Sequence, residues 1–151
     1  MIIYEKGNLL EHSCKVRCHQ VNCQGVKGGG IAKQVKELYP ETMPEYIAKC
    51  KEHGNGMMGE VIFTECHDGT VIADMFGQDA HGQGRLQTDY EALEKCLQTV
   101  KEYASERNLS VGFPHLLGCG LAGSDWDIVS GLIEKHFKDS EVECFVVDFN
   151  I

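Results

Sequence analysis

The sequence predicts an α/β fold: a mixed, partly parallel sheet with helices on both faces. Three observations lead there. Two segments share the order strand, glycines, helix. The first runs from residues 16–23 through Gly25-Val26-Lys27-Gly28-Gly29-Gly30 to a helical stretch from Ile31. The second runs from residues 109–114 through Leu117-Gly118-Cys119-Gly120-Leu121-Ala122-Gly123 to a helical stretch near Ser124. Strand-like and helix-like segments otherwise alternate, as in sheets built from crossover units. The tight polar turn His67-Asp68-Gly69 joins two strand-like runs as a hairpin and so adds an antiparallel pair.

Each element has a local reason. Residues 1–4 are apolar and β-branched and read as a first strand ending at Lys6-Gly7-Asn8, with 9–13 a connector. Residues 15–23 form a second strand. A helix over 31–38 stops before Pro40, because the residue preceding proline avoids the α region. A second helix spans 41–53, with Pro44 tolerated in its first turn and Gly54 as its C-terminal cap. Strands over 61–66 and 70–76 flank the hairpin turn. Residues 77–87, rich in glycine and histidine and without periodicity, read as an exposed loop. In 88–107, Leu93, Leu97, Val100 and Ala104 fall on one helical face, and Thr88 with Glu91 resembles a capping box. A strand over 109–113, a helix over 124–137 and a strand over 142–149 complete one α/β/α unit across residues 1–151.

Composition narrows the function. The 151 residues are 42% hydrophobic and 25% charged, with no run long enough to span a bilayer and no signal-peptide pattern, so the chain is read as cytoplasmic. Eight cysteines without a CxxC pair read as reduced, buried small hydrophobes; Cys14, Cys18, His19 and Cys23 lack zinc-ligand spacing, so no metal and no cofactor is expected. A net charge of −9 argues against duplex nucleic acid and anionic membranes as partners. The glycine loops still favour an anion, because backbone N–H groups at a helix start attract one without net positive charge. Two ordinary βα turns are the alternative; their pairing in one small domain favours a small ligand carrying more than one phosphate. The first loop lacks the G-x-G-x-x-G spacing of a dinucleotide fold.

His19-Gln20-Val21-Asn22-Cys23-Gln24-Gly25, then Gly28-Gly29-Gly30-Ile31-Ala32 and Tyr39-Pro40, closely resembles the first ligand loop of the macro domain family. Phe113-Pro114, Gly118-Cys119-Gly120-Leu121-Ala122-Gly123 and Asp125-Trp126 resemble its second loop, and Lys6-Gly7-Asn8-Leu9 its opening motif, with Asn where many members carry Asp. The resemblance covers essentially the whole chain and is to the bacterial and phage branch, near the terminal ADP-ribose protein glycohydrolases and the yeast ADP-ribose-1″-phosphate phosphatase. It implies a three-layer α/β/α macro domain with a mixed central sheet.

The resemblance also implies an ADP-ribose cleft. Asn8 and Leu9 would meet adenine. Asn22 and Gly28, Gly29, Gly30 and Ile31 would approach the distal ribose and its phosphate. Gly118, Cys119, Gly120, Leu121, Ala122 and Gly123 would wrap the diphosphate, and Phe149 would pack on adenine or serve as edge packing. In the glycohydrolases a lysine attacks the ribosyl carbon and a second-loop acid assists. Here Ala122 occupies the acid's place and Phe76-Gly77-Gln78-Asp79 holds no lysine. The remaining catalytic candidates are His19, which matches a histidine of the phosphatase and suits acid–base chemistry, and Asp125, placed to orient water. Each has a plainer alternative: a hydrogen-bonded strand histidine, and an acid favoured by a helix dipole. Asp79, His81 and Arg85 lie in a loop that would close over the distal ribose. The expected function is ADP-ribose binding with hydrolysis of a derivative at the distal ribose, ADP-ribose-1″-phosphate or an ADP-ribosyl ester; the alternative is a non-catalytic reader of free or attached ADP-ribose.

Overall fold

The computed structural model describes residues 1–80, 87–119 and 123–149. Six strands, β1 (Ile2–Lys6), β2 (Val16–Val21), β3 (Val61–Glu65), β4 (Val71–Phe76), β5 (Val111–Pro114) and β6 (Cys144–Asp148), form one sheet in the order β1-β6-β5-β2-β4-β3. Every neighbouring pair is parallel except the β3–β4 hairpin. The mixed sheet is therefore as the sequence predicts.

Among the described residues the α-helices are α1 (Gly30–Leu38), α2 (Met43–His53), α3 (Tyr90–Arg107) and α4 (Trp126–Phe137). β4 shows how they divide. All six of its residues are buried. Val71, Ala73 and Met75 face the apolar sides of α3 and α4, against Leu93, Leu97, Val100, Val129, Ile133 and Phe137. Ile72 and Phe76 face the other way, toward Val35 and Tyr39 at α1 and Tyr46 and Cys50 on α2. A strand covered on both faces reads as a continuous apolar run, which this one is except at Asp74. Each large side chain fully buried contributes roughly 1.5–3 kcal/mol.

Three boundaries differ from expectation, each for a local reason. Pro40 starts a separate 3₁₀ turn, Pro40–Thr42, before α2 begins at Met43. The N-cap of α3 is Asp89, whose carboxylate accepts from Ala92 N; Thr88 instead bridges to Gln78 and turns its hydroxyl toward Gln20 and Ser124. α4 begins at Trp126 rather than at 124, with Asp125 as its cap. A further 3₁₀ turn, Leu9–Glu11, forms inside the first connector, with Asn8 as its cap. All eight cysteines are free, seven of them buried. Among the described residues no helix is long and apolar enough to cross a membrane.

The topology brings the two glycine loops together. β2 and β5 are parallel neighbours, so the loops that leave their carboxyl ends emerge side by side. After β2 the chain crosses to the α1 face; after β5 it crosses to the α4 face. Ligands of open α/β sheets settle where crossovers diverge in this way.

Candidate functional site

The first loop is shaped by Asn22. Its Nδ2 donates to the Val26 carbonyl at 2.8 Å, its Oδ1 accepts from Gln24 N at 3.0 Å, and the Tyr46 hydroxyl lies 2.9 Å from that same oxygen. Asn22 is buried, so its amide builds the turn from beneath. Gly25 and Gly30 take φ of +77° and +56°, a region that disfavours side chains. Gly28 and Gly30 are exposed and Gly29 is half-buried. α1 starts at Gly30 with neither a side-chain cap nor an acid in its first turn. Its first amides are thus free of side-chain partners, the arrangement that attracts an anion. Ile31 is half-buried between Leu10, Val35 and Tyr39 on one side and Leu9, Cys14 and Val147 on the other.

The second loop begins at buried Leu117. Gly118 and Gly123 both take φ of +72°. Cys119 is half-buried, and burial pushes its thiol up to about 11, so it stays protonated at neutral pH. Gly120, Leu121 and Ala122 lie outside the described residues. Asp125 is exposed at the loop's end. Its carboxylate caps α4 by accepting from Asp127 N at 2.9 Å, and its own N–H donates to the Tyr90 hydroxyl at 3.0 Å.

His19 is buried within the sheet. It is 1% exposed, and its Nε2 lies 2.6 Å from Asp74 Oδ1. A carboxylate only accepts, so Nε2 carries the proton and Nδ1 is a bare acceptor, buried and, among the described residues, without a hydrogen-bond partner. Burial lowers the His19 pKa, outweighing the hydrogen bond and charge of Asp74 that would raise it. Of the two readings the sequence offers for His19, these contacts favour the hydrogen-bonded strand histidine over the acid–base group. The sequence reading also passed over its neighbours. Lys27, from the first loop, turns into the core and donates to both oxygens of Asp74, to Thr42 Oγ1 at 3.2 Å, and lies 4.8 Å above the Tyr46 ring. The visible signal was Asp74 itself, a carboxylate inside an apolar strand, which requires a cation nearby.

At the other end, Asn8 Oδ1 accepts from Leu10 N at 2.9 Å and Leu9 is buried. Phe149, just past β6, is 59% exposed. Asp79 is exposed beside the first loop, its carbonyl accepting from Cys23 N at 2.9 Å; His81 and Arg85 lie outside the described residues. The described arrangement offers the uncapped start of α1 and two exposed carboxylates at the loop margins, Asp79 beside the first loop and Asp125 at the end of the second.

Comparison with known proteins places the chain in a family. The chain is 47% identical to an ADP-ribose 1″-phosphate phosphatase of Scheffersomyces stipitis, over 97% of this chain and 100% of that one. It is 33% identical to a DNA ADP-ribosyl glycohydrolase of Mycobacterium tuberculosis over 91% of its length, and spans 39% of that relative. Among solved structures, the macrodomain of Mycobacterium tuberculosis DarG superposes with a TM-score of 0.84 at 29% identity, over 100% of this chain and 99% of that one. The Macro domain family model matches residues 18–133, and the chain belongs to that family.

Proposed function

We propose that the chain binds ADP-ribose in the groove between the two glycine loops and hydrolyses a derivative at the distal ribose. The observation that carries the reading is the pair of loops on neighbouring parallel strands, one of them opening on a helix start with no side-chain cap. A diphosphate suits such donors, and the net charge of −9 leaves backbone amides as its main source of attraction. In this reading Asn8, Leu9 and Phe149 take the base. Gly28, Gly29, Gly30 and Ile31 meet the distal ribose and a phosphate, and Gly118, Cys119, Gly120, Leu121, Ala122 and Gly123 wrap the diphosphate. Asp125 orients a water toward the linkage at the distal ribose. Relatives named as a phosphatase of ADP-ribose 1″-phosphate and as a glycohydrolase of ADP-ribosyl DNA support a distal-ribose reaction. The free thiols suit a reducing, cytoplasmic setting.

One observation favours the second reading, a reader of ADP-ribose without turnover. The burial of His19 speaks against one of the two catalytic groups the sequence offers. Calorimetric titration with ADP-ribose, against ADP and NAD, tests binding. Micromolar affinity with ADP-ribose preferred is expected, and no heat with any of the three defeats both readings. Release of phosphate from ADP-ribose-1″-phosphate, or of ADP-ribose from esterified protein or modified DNA, then separates enzyme from reader.

A further inference from the structure

The segment 8–14 crosses one face of the sheet between β1 and β2, and two register partners hold it there: Arg17 on β2 and Gly112 on β5. A methyl group at Gly112 would come within 2.5 Å of Cys14 Sγ and 2.6 Å of Leu9 Cδ1, so the bare glycine is what lets both side chains lie against the sheet. Beside it, the Arg17 guanidinium donates from Nη1 to the Leu10 carbonyl and the Tyr39 hydroxyl, and from Nη2 to the His12 carbonyl. Tyr39, the residue that ends α1, donates a hydrogen bond from its own hydroxyl to Asp68 Oδ2 at 2.7 Å in the β3–β4 turn. One cation therefore joins the first 3₁₀ turn, the end of α1 and the hairpin. A planar fork can serve three acceptors in fixed directions; an ammonium on a flexible stem holds them less tightly.

Leu10 connects this clamp to the cleft. Its carbonyl is held by Arg17, while its N–H donates to Asn8 Oδ1. With that oxygen engaged, the amide plane of Asn8 is fixed by a peptide that Arg17 itself fixes. We propose that Arg17 is a positioning residue for base recognition: through Leu10 it sets the side chain of Asn8, and the lie of Leu9, against the base of the ligand, without touching the ligand. The proposal rests on the ADP-ribose reading above.

The test uses the full chain with Arg17→Met and Arg17→Lys. Affinity is measured for ADP-ribose, for the same compound carrying hypoxanthine in place of adenine, and for ribose 5-phosphate. Amide hydrogen exchange at Leu10 is followed without ligand. Arg17→Met is expected to lower the preference for adenine over hypoxanthine about tenfold, leave ribose 5-phosphate within twofold, and speed exchange at Leu10 at least tenfold; Arg17→Lys should fall between. A general loosening of the fold would instead weaken all three ligands together, and that outcome, or an unchanged base preference in folded variant, overturns the proposal. If Arg17→Met does not fold, Arg17→Lys carries the same comparison. If the wild-type chain binds neither nucleotide, the ADP-ribose reading has failed. Leu10 exchange then decides the clamp alone: unchanged rates in the variants remove it, and faster rates uphold it.

Discussion

Lys27 and Asp74, 47 residues apart, close on each other beneath the first glycine loop, with Nζ 2.9 and 3.0 Å from the two carboxylate oxygens and side chains 0% and 1% exposed. The pair ties the loop to β4, and Thr42 Oγ1, His19 and the Tyr46 ring close the space around it. Removing one partner of such a pair strands a buried charge, whereas replacing both by neutral groups of similar shape is often near neutral.

The first prediction follows from that asymmetry. Lys27→Met and Asp74→Asn should each lower unfolding stability by about 3 kcal/mol or more, and the double variant should recover most of the loss. Urea unfolding of the four proteins measures it. Additive losses in the double variant would mean that the two residues do not act as a pair.

His19 gives a pH dependence of definite sign. Its folded pKa lies below the ordinary value because burial opposes the imidazolium, so the unfolded chain binds the proton first as pH falls. Its contribution is whole above about pH 6.5 and is lost as pH drops toward the lower folded value, with a slope of at most about 1.4 kcal/mol per unit. His136, also lowered by burial, acts in the same window. Asp68, held to about 2 chiefly by the Tyr39 hydroxyl, acts only below about pH 4. His19→Gln keeps an N–H for Asp74 and removes the titration. Its stability should therefore fall less than that of the wild type between pH 7 and 5, as read by urea midpoints. Equal falls would exclude His19 as the source.

Two glycines make a matched pair of opposite expectation. An added Cβ at Gly118 would stand 2.9 Å from Ser124 Oγ and 3.1 Å from Gln20 Oε1, on a backbone at φ +72°. Gly118→Ala should cost about 2 kcal/mol and weaken ADP-ribose binding at least tenfold, because the second loop must move to admit the methyl. Gly131, inside α4, has nothing within 4 Å of such a Cβ. Gly131→Ala should stabilise by about 0.5–1 kcal/mol and leave binding unchanged. Thermal melts and one titration of each variant check both halves.

Both loops, the hairpin and the helix carrying Leu93, Leu97 and Val100 were legible because each is written locally, in glycine placement, turn residues or a 3.6-residue period. What escaped was written across the sheet. Nothing near Lys27 in sequence shows that its ammonium points inward rather than at a ligand; Asp74 in its apolar strand calls for a cation, but only the folded contact shows that Lys27 supplies it. Asn22 was legible as a loop residue, but its role as the loop's frame depends on Tyr46, 24 residues away. The cap of α3 shifted by one residue, to Asp89, because Thr88 is drawn into a polar network with Gln20 and Ser124, a competition that local propensity does not contain.

Asp125 caps α4 and, under the hydrolase reading, also orients water; one substitution would confuse the two, and a graded set separates them. Its carboxylate caps α4, so Asp125→Ala should lose about 1 kcal/mol of stability whatever the chemistry. Asn is as good a cap as Asp, so Asp125→Asn should keep the fold and, under the hydrolase reading, still bind ADP-ribose within a few-fold. An amide cannot take a proton from water as a carboxylate can, so turnover of ADP-ribose-1″-phosphate or of an ADP-ribosyl ester should fall by about 10²-fold or more in that variant. Full turnover in Asp125→Asn would confine Asp125 to capping. Turnover lost together with binding would place its effect on the second loop instead of on the water. Only kcat falling while affinity and melting temperature hold assigns the carboxylate to the reaction.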